Sequence, residues 1–404
     1  GRLVWLVTAW VDGDMMTGIF FFGLLKFLSW ACLALALSGS VYALAAGEFV
    51  RRFARRPAEH ARGSAGVTIL KPLHGAEPGL YDNIASFCRQ DYGGPLQIIC
   101  GVQDQADPAI AVVRALIAAF PAVDIELVVD PSPHGANRKI ANLINMAKPI
   151  RHELVILADS DMRVGPDYLD RVVGALEQPG VGLVTCLYRG APAPGLIGRL
   201  AAMAIDYHFL PSVLFGLGLD MARPCFGSTI ALKRDMLARI GGFEAFADQL
   251  ADDNAIGEAV RRAGARVAIP TLVIAHACAM RSPGELLRQE LRWARTIRAV
   301  DTLGFLGSVV TNPLPFALLG LALGGPNALS AAAVAAALLS RLVLQAQVDH
   351  ALGAAEHRWR LGPVRDLLSF LVFVASLFGG AISWRGHRYR VGRDGILIPV
   401  KERV

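Results

Sequence analysis

Two stretches of this chain carry no charged residue over lengths that a soluble domain does not need: residues 27–47, 21 in number, and residues 302–340, 39 in number. A helix rises about 1.5 Å per residue and the hydrocarbon core of a bilayer is about 30 Å thick, so about 20 apolar residues make one crossing. The first run, extended by Ile19, Phe20, Phe21 and Phe22, predicts a membrane helix over residues 18–47. The second is broken by the turn sequence Gly324-Gly325-Pro326-Asn327 and predicts two spans. Residues 367–384 add a candidate of 18 residues, so a C-terminal membrane region of two to three spans is expected over 302–384. The hydrophobic fraction of 54 % and charged fraction of 18 % agree, being too apolar for an ordinary soluble enzyme.

Arg51, Arg52, Arg55 and Arg56 follow the first span directly. The positive-inside rule places them, and the domain after them, in the cytoplasm. Residues 1–17 read as an N-terminal tail. A cleaved signal peptide is disfavoured, because the run is long and no small-residue cleavage site precedes the arginines. The end of the chain, residues 385–404, is a basic tail with Arg385, Arg388, Arg390 and Arg393. Four spans would return that tail to the outside, against its charge, yet Arg358, Arg360 and Arg365 sit at the other end of the last candidate. A re-entrant segment around Pro313 and Pro315 would remove the conflict. The net charge of +6 fits basic residues beside anionic headgroups, and no nucleic-acid-binding motif is present. Six scattered cysteines without a C-x-x-C pair make neither a disulfide framework nor a zinc site.

Between the membrane segments, residues 66–283 have the composition of a soluble α/β domain. Apolar runs at 67–70, 96–102, 125–129, 154–158 and 182–187 alternate with helical spacing at 80–90, 108–120, 137–148 and 168–176. Such alternation implies a mostly parallel sheet with helices on both faces. Neither G-x-G-x-x-G after the first strand nor G-x-x-x-x-G-K-[ST] occurs, which disfavours dinucleotide and P-loop chemistry. Residues 284–300 follow as a basic amphipathic helix suited to the headgroup plane, with Leu286, Leu287, Leu291 and Ile297 on one side.

The chemistry concentrates where apolar runs stop. Leu154-Val155-Ile156-Leu157-Ala158 reads as a buried strand that ends in Asp159-Ser160-Asp161. Two carboxylates at the carboxyl edge of a sheet stand where open α/β folds bind ligands, and they suit a hard divalent cation, Mg²⁺ or Mn²⁺. Gly101-Val102-Gln103-Asp104 is a second strand ending in a carboxylate. Gly241-Gly242-Phe243 leads to Asp252-Asp253, which open a helix. Gln289-Glu290-Leu291-Arg292-Trp293 precedes the membrane region. Each has a plain structural alternative: Asp104 as a turn residue, Asp252 and Asp253 as first-turn acids favoured by the helix dipole, Arg292 and Trp293 as an interfacial anchor. His74, His134, His208 and His276 show no metal-ligand spacing and read as core or surface histidines.

In this order the four features match the D…DxD…(D/E)D…QxxRW pattern of membrane glycosyltransferases of the family 2 type. Leu70-Lys71-Pro72-Leu73-His74-Gly75, the Asp104 strand with Asp107-Pro108-Ala109-Ile110, and Asn137-Arg138-Lys139 with Asn142-Leu143 resemble the ceramide glucosyltransferase family, glycosyltransferase family 21. Within it the chain resembles most the hopanoid-biosynthesis glycosyltransferases of bacteria. The resemblance covers about residues 66–300, and the chain departs from the eukaryotic ceramide enzymes in having both Asp159 and Asp161 of the D-x-D, nearer the general family 2 pattern. It implies a GT-A-type nucleotide-sugar-binding domain flanked by transmembrane helices, in a bacterial inner membrane. It implies a UDP-sugar donor and a membrane-lipid acceptor. Asp253 would be the general base. Lys71, Asp104, Lys139, Asp159 and Arg292 would serve the donor, with Asp104 toward the uridine. Asp159 and Asp161 would hold the metal, and Gln289, Arg292 and Trp293 would meet the acceptor or the diphosphate. A hopanoid with UDP-N-acetylglucosamine, or ceramide with UDP-glucose, are the substrate pairs it suggests. A processive polysaccharide synthase, or a UDP-sugar-binding membrane protein without turnover, are the rival readings.

The apolar stretch at residues 195–219, rich in Leu, Ile, Met and Phe, reads either as a core helix or as a lipid-facing helix beside the site.

Overall fold

The computed structural model describes the backbone of residues 2–353, 359–379, 381–384, 387–391 and 396–399, and side chains at 20–353, 359–379 and 396. The first helix, α1 (Arg2–Ala54), is much longer than the expected span and runs on past residue 47. Its part Phe20–Ala54 is long and apolar enough to cross a membrane. The continuation is helical because Glu48 pairs with Arg51 and Arg52 three and four residues on, and the arginines stand at the negative end of the helix dipole.

The soluble part is the expected α/β domain. Strands β1 (Val67–Pro72), β2 (Leu96–Val102), β3 (Asp124–Val129) and β4 (Leu154–Leu157) pair in parallel in the order β3-β2-β1-β4. The helices α2 (Leu80–Cys88), α3 (Ala109–Ala119), α4 (Arg138–Met146) and α5 (Tyr168–Leu176) fall on the predicted stretches. Successive strand residues serve opposite faces: Ile69, Ile98 and Ile156 pack with α2, α3 and α5, while Leu70, Ile99 and Val155 pack with α4. This is why the strands read as continuous apolar runs. The run at 182–187 divides into β6 (Val181–Val184) and β7 (Leu187–Pro192), with the two-residue β5 (Met162–Arg163) before them. After β7 come α6 (Leu196–Ala204), a π-helical turn (Ile205–Phe209) and α7 (Leu210–Gly218).

Strand β8 (Ile230–Lys233) enters the main sheet antiparallel between β4 and β6, followed by α8 (Arg234–Arg239) and α9 (Asp252–Arg262). β9 (Arg266–Ala268) closes the edge, giving β3-β2-β1-β4-β8-β6-β9. β10 (Val273–Cys278) joins β5 and β7 in a small second sheet. All six cysteines are free thiols.

α10 (Pro283–Val300), capped by Ser282, leads into α11 (Thr302–Gly307) and α12 (Pro313–Gly324). The segments Thr302–Thr311 and Pro313–Gly324 bend by 66°. α12 alone is about 18 Å long, too short to cross unaided. α13 (Ala328–Leu352) begins with an Asn327–Ser330 capping box and runs well beyond residue 340. These helices fit against α1 where side chains are small, as helices in lipid do. A Cβ on Gly39 would lie 2.5 Å from the Val310 carbonyl, and one on Gly324 would lie 2.3 Å from Ser29 Oγ.

The last candidate span takes another form. α14 (Gly362–Leu377) stops short, and residues 381–384 are strand β11 (Ala381–Trp384). With β12 (His387–Val391) and β13 (Leu397–Pro399) it makes a small antiparallel sheet, so part of the expected basic tail is strand, while its arginines lie outside the described side chains. At the start of α14, Arg365 and Asp366 are buried in ion pairs with Glu290 and Arg341. Arg341 also donates to the Tyr207 carbonyl at 3.0 Å, satisfying the π-helical turn from outside.

Candidate active site

The site forms where β4 leaves the sheet. The Ala158 N–H donates to the Leu70 carbonyl at 3.1 Å and the Asp159 N–H to the Gly227 carbonyl at 3.2 Å, so the D-x-D turn is fixed at the sheet's carboxyl edge. Lys71 supports it from below. Its side chain is buried, its ammonium donates to the Asp159 carbonyl at 2.7 Å, and it stands 3.7 Å from the centre of the Phe87 ring. Burial pushes its pKa down to about 7, against the pull of Asp159. Lys71 therefore holds the turn and does not line the cavity.

Lys139 lies one residue into α4, whose cap Asn137 accepts the Lys139 and Ile140 N–H groups. Its ammonium pairs with Asp159 at 2.7 Å and with Asp252 at 3.2 Å. Burial opposes that charge, but the carboxylates outweigh it and raise the pKa. Asp252, buried, also accepts from Asn137 Nδ2 at 3.3 Å, so it anchors the start of α9. Asp253, next in line, accepts the Gly227 N–H at 3.0 Å and the Asn254 N–H at 2.8 Å. Burial, with Asp252 adding to it, pushes the Asp253 pKa up to about 6. Gly227 is required between these groups: a Cβ there would lie 2.7 Å from Asp159 Oδ2 and 3.0 Å from Lys139 Nζ.

Asp161 faces a residue to which the sequence reading gave no role in the site beyond that of a core or surface histidine. His276, in the middle of β10, places Nε2 3.1 Å from Asp161 Oδ2. Burial opposes an imidazolium there, but Asp161 holds the His276 pKa well above its ordinary value. The other oxygen, Asp161 Oδ1, is buried without a hydrogen-bond partner. A signal for His276 existed: in β10 the buried positions alternate as Ile274, His276 and Cys278, so the imidazole occupies a core position and needs a polar partner.

α10 supplies the opposite wall. Gln289, Arg292, Trp293 and Thr296 line the same cavity of about 730 Å³ as Lys139, Asp159, Asp161 and Asp253. Arg292 donates to Gln289 Oε1 at 3.0 Å, and among the described residues no carboxylate stands within 4.0 Å of its guanidinium. An aromatic row closes one side. Phe209 stacks on Tyr188 at 4.9 Å, Tyr188 lies 5.6 Å from the His276 ring, and His276 5.6 Å from that of Trp293. Phe226, beside Gly227, meets both Tyr188 and Phe209 edge-on. The row continues into the apolar packing of α1, α6, α7 and α13. Asp104 is not brought into this cavity. It is exposed beyond β2 and accepts the Ala106 N–H at 2.9 Å, as a turn residue does.

No group of three or more His, Cys, Asp or Glu side chains is placed to hold an ion among the described residues. The donor set still fits a hard cation in part: Asp161 Oδ1 is unsatisfied and Asp159 lines the same cavity, two carboxylates of the oxygen type such an ion takes.

The sheet order, the D-x-D turn at its carboxyl edge and the α9 carboxylate beside that turn define a glycosyltransferase domain of the GT-A type, built onto apolar helices. Residues 31–397 match the sequence profile of glycosyl transferase family 21, and the chain belongs to that family. Ceramide glucosyltransferase 1 of Caenorhabditis elegans is 28 % identical over 208 residues, which are 51 % of this chain and 44 % of that protein. The alignment with this relative thus spans less than half of its length. Ceramide glucosyltransferase 3 of the same organism is 23 % identical over 83 % of this chain and 75 % of its own length. A mannosyltransferase from Pyrobaculum calidifontis, solved with GDP-Man and Mn2+, shares the fold with a TM-score of 0.51 at 20 % identity, over 88 % of this chain and 99 % of that one.

Proposed function

We propose that this chain is an inverting membrane glycosyltransferase that moves a sugar from a UDP-sugar to a hydroxyl of a membrane lipid. The observation that carries the reading is the cavity, which gathers a carboxylate of raised pKa, a D-x-D turn and a guanidinium held by Gln289 from three distant segments beside apolar helices. The ceramide glucosyltransferases among its relatives support a lipid acceptor. The Mn2+ of the mannosyltransferase supports a divalent ion, Mg²⁺ or Mn²⁺, at Asp159 and Asp161. When bound, such an ion neutralises the leaving diphosphate.

The residues divide the work. Arg292 offers a planar fork to phosphate, with Gln289 holding that fork. Lys139 keeps Asp159 turned toward the cavity, and Lys71 holds the turn from below. Asp104 keeps its role toward the uridine only as the family resemblance implies it. Asp253, ionised above its pKa of about 6, takes the proton of the acceptor hydroxyl. That oxygen forms its bond to the anomeric carbon as the sugar–diphosphate bond breaks on the opposite face, which inverts the centre. Trp293 and the aromatic row receive the apolar flank of the acceptor. A polysaccharide synthase would need more helices for an export channel than the three or four candidates found among the described residues. A binding protein would not need Asp253.

The proposed topology has three crossings: α1, the bent pair α11–α12, and α13. Although Leu196–Gly218 has the length and apolarity of a span, it connects β7 to β8, strands of one domain, which a single crossing would separate. Arg189 on β7 donates to the Leu352 carbonyl at the end of α13, and Ile396 bridges to Gln249. These contacts support a C-terminal sheet on the side of the catalytic domain, which the arginines after α1 make the cytoplasm. In spheroplasts, a cysteine at Ile396→Cys is expected to react with an impermeant maleimide only after permeabilisation. Labelling of intact spheroplasts would refute this topology.

The functional test is a transfer assay in membranes with labelled UDP-glucose and UDP-N-acetylglucosamine offered separately. Ceramide and hopanoid are each supplied, and products are identified by mass. A lipid carrying one sugar is the expected product. The names of the relatives favour glucose on ceramide, and the motif resemblance favours a hopanoid with UDP-N-acetylglucosamine. A labelled polymer would replace this reading with the synthase.

A further inference from the structure

α10 can present its reactive face only if its rotation is fixed. At about 3.6 residues per turn, Gln289, Arg292, Trp293 and Thr296 share the face toward the cavity. Leu286 and Glu290 lie on the neighbouring face and are the buried residues of the helix. Leu286 is an apolar contact and sets no direction. Glu290 accepts from Arg365 Nη1 at 2.7 Å and from Nη2 at 2.8 Å, a two-bond fork across 75 residues of sequence. Arg365, on α14, has a side chain only 1 % exposed. It is itself fixed by the Leu200 carbonyl of α6 at 3.2 Å and by Ser369 Oγ at 3.0 Å and 2.9 Å.

The far end of α14 is bonded to α10 as well. Arg295 donates to the Phe378 carbonyl at 3.3 Å, and Arg298 to the Leu377 and Gly379 carbonyls, both at 2.8 Å. α14 therefore lies along α10 like a splint.

We propose that Glu290 and Arg365 are positioning residues of the transfer reaction: their paired hydrogen bonds fix the rotation of α10 and so the placement of Arg292 and Trp293 against the donor diphosphate. Cohesion alone does not require them. Replacing a buried ion pair with apolar side chains of similar volume is often neutral or stabilising. An apolar contact, however, lets one helix roll or slide on another, whereas two parallel N–H···O bonds have a single geometry. The inference rests on the reading of Arg292 as a phosphate contact.

The test uses the full-length protein carrying Glu290→Met with Arg365→Met, together with Arg365→Lys and Arg292→Ala. Melting temperature in detergent, kcat for transfer, and the inhibition constant of UDP are measured for each. The double variant is expected to melt as the native protein does, with kcat lowered by about tenfold or more and UDP inhibition weakened by about fivefold. Native melting with native kcat and UDP inhibition would overturn the proposal, because the pair would then serve cohesion only. If the double variant does not fold, Arg365→Lys decides, since it keeps the charge pair with Glu290 and loses the two-bond fork. It is expected to fold fully with reduced kcat and weakened UDP inhibition, and native values for both would overturn the proposal. Arg292→Ala separates the two levels. Unchanged UDP inhibition there would remove the phosphate reading itself, whatever the ion pair does.

Discussion

Replacing Asp253 with asparagine is expected to lower kcat by a factor of about 10²–10⁴, the usual worth of a positioned base, while UDP binding changes little. Asparagine keeps an oxygen for the Gly227 N–H, which Asp253 accepts at 3.0 Å, so the loop beside the D-x-D turn stays in place. What is lost is the proton acceptor. The pH profile carries a second signature. Burial raises the Asp253 pKa to about 6, and the base works only when ionised. The native kcat/KM is therefore expected to rise with pH through about 6 and level off above it, and the variant loses that rising limb. Native turnover in Asp253→Asn, or a variant that keeps the limb, would assign the base elsewhere.

The second large effect is expected at Asp161. Asp161→Ala removes both the buried oxygen that has no partner and the carboxylate that faces His276. Transfer is expected to fall by about 10²–10³, the scale for losing one preorganised electrostatic group. UDP binding, measured with and without Mn2+, should lose its dependence on the ion. Asp161→Asn separates the two functions of the residue. It can still hydrogen-bond His276 but offers no charge to a cation, so it should resemble Asp161→Ala in its Mn2+ response. A native Mn2+ response in both variants would move the metal away from Asp161.

The sequence exposed those features whose cause is local. β4 reads correctly because an apolar run buried on both faces must be continuous, and the D-x-D follows where it ends. α9 starts at Asp252 because first-turn acids suit a helix N-terminus. Gln289, Arg292 and Trp293 come from the motif resemblance, and helical spacing then sets them on one face of α10. Features set by distant partners were hidden. Lys71 looked like a donor contact, but its place within a fully buried strand turns it inward beneath the turn. Asp104 ends a strand much as Asp159 follows one, yet β2 leads to an exposed turn while β4 leads to the cavity. His276 acquires meaning only when β10 pairs with β5 and so meets Asp161. Hydropathy made residues 367–384 a span. It could not register that Arg365 and Asp366 have buried partners at Glu290 and Arg341, or that Gly379 takes a left-handed turn with φ 85.

The π-helical turn at Ile205–Phe209 has a consequence for insertions and deletions. A π turn closes its hydrogen bonds five residues apart instead of four, so it holds one residue more than an α turn. That residue sets the phase of all that follows, since each helical step turns the chain by about 100°. A homologous chain one residue shorter here would run straight from α6 into α7. Phe215 would rotate away from Tyr42 and Phe49, which it meets edge-on at 5.0 Å and 5.7 Å. Phe209 would leave Tyr188, and Arg341 would face a carbonyl already bonded within the helix. The segment is thus a length-sensitive joint: substitutions on its outer surface are absorbed, whereas the loss of a single residue would uncouple the aromatic wall of the cavity from the helices that anchor it.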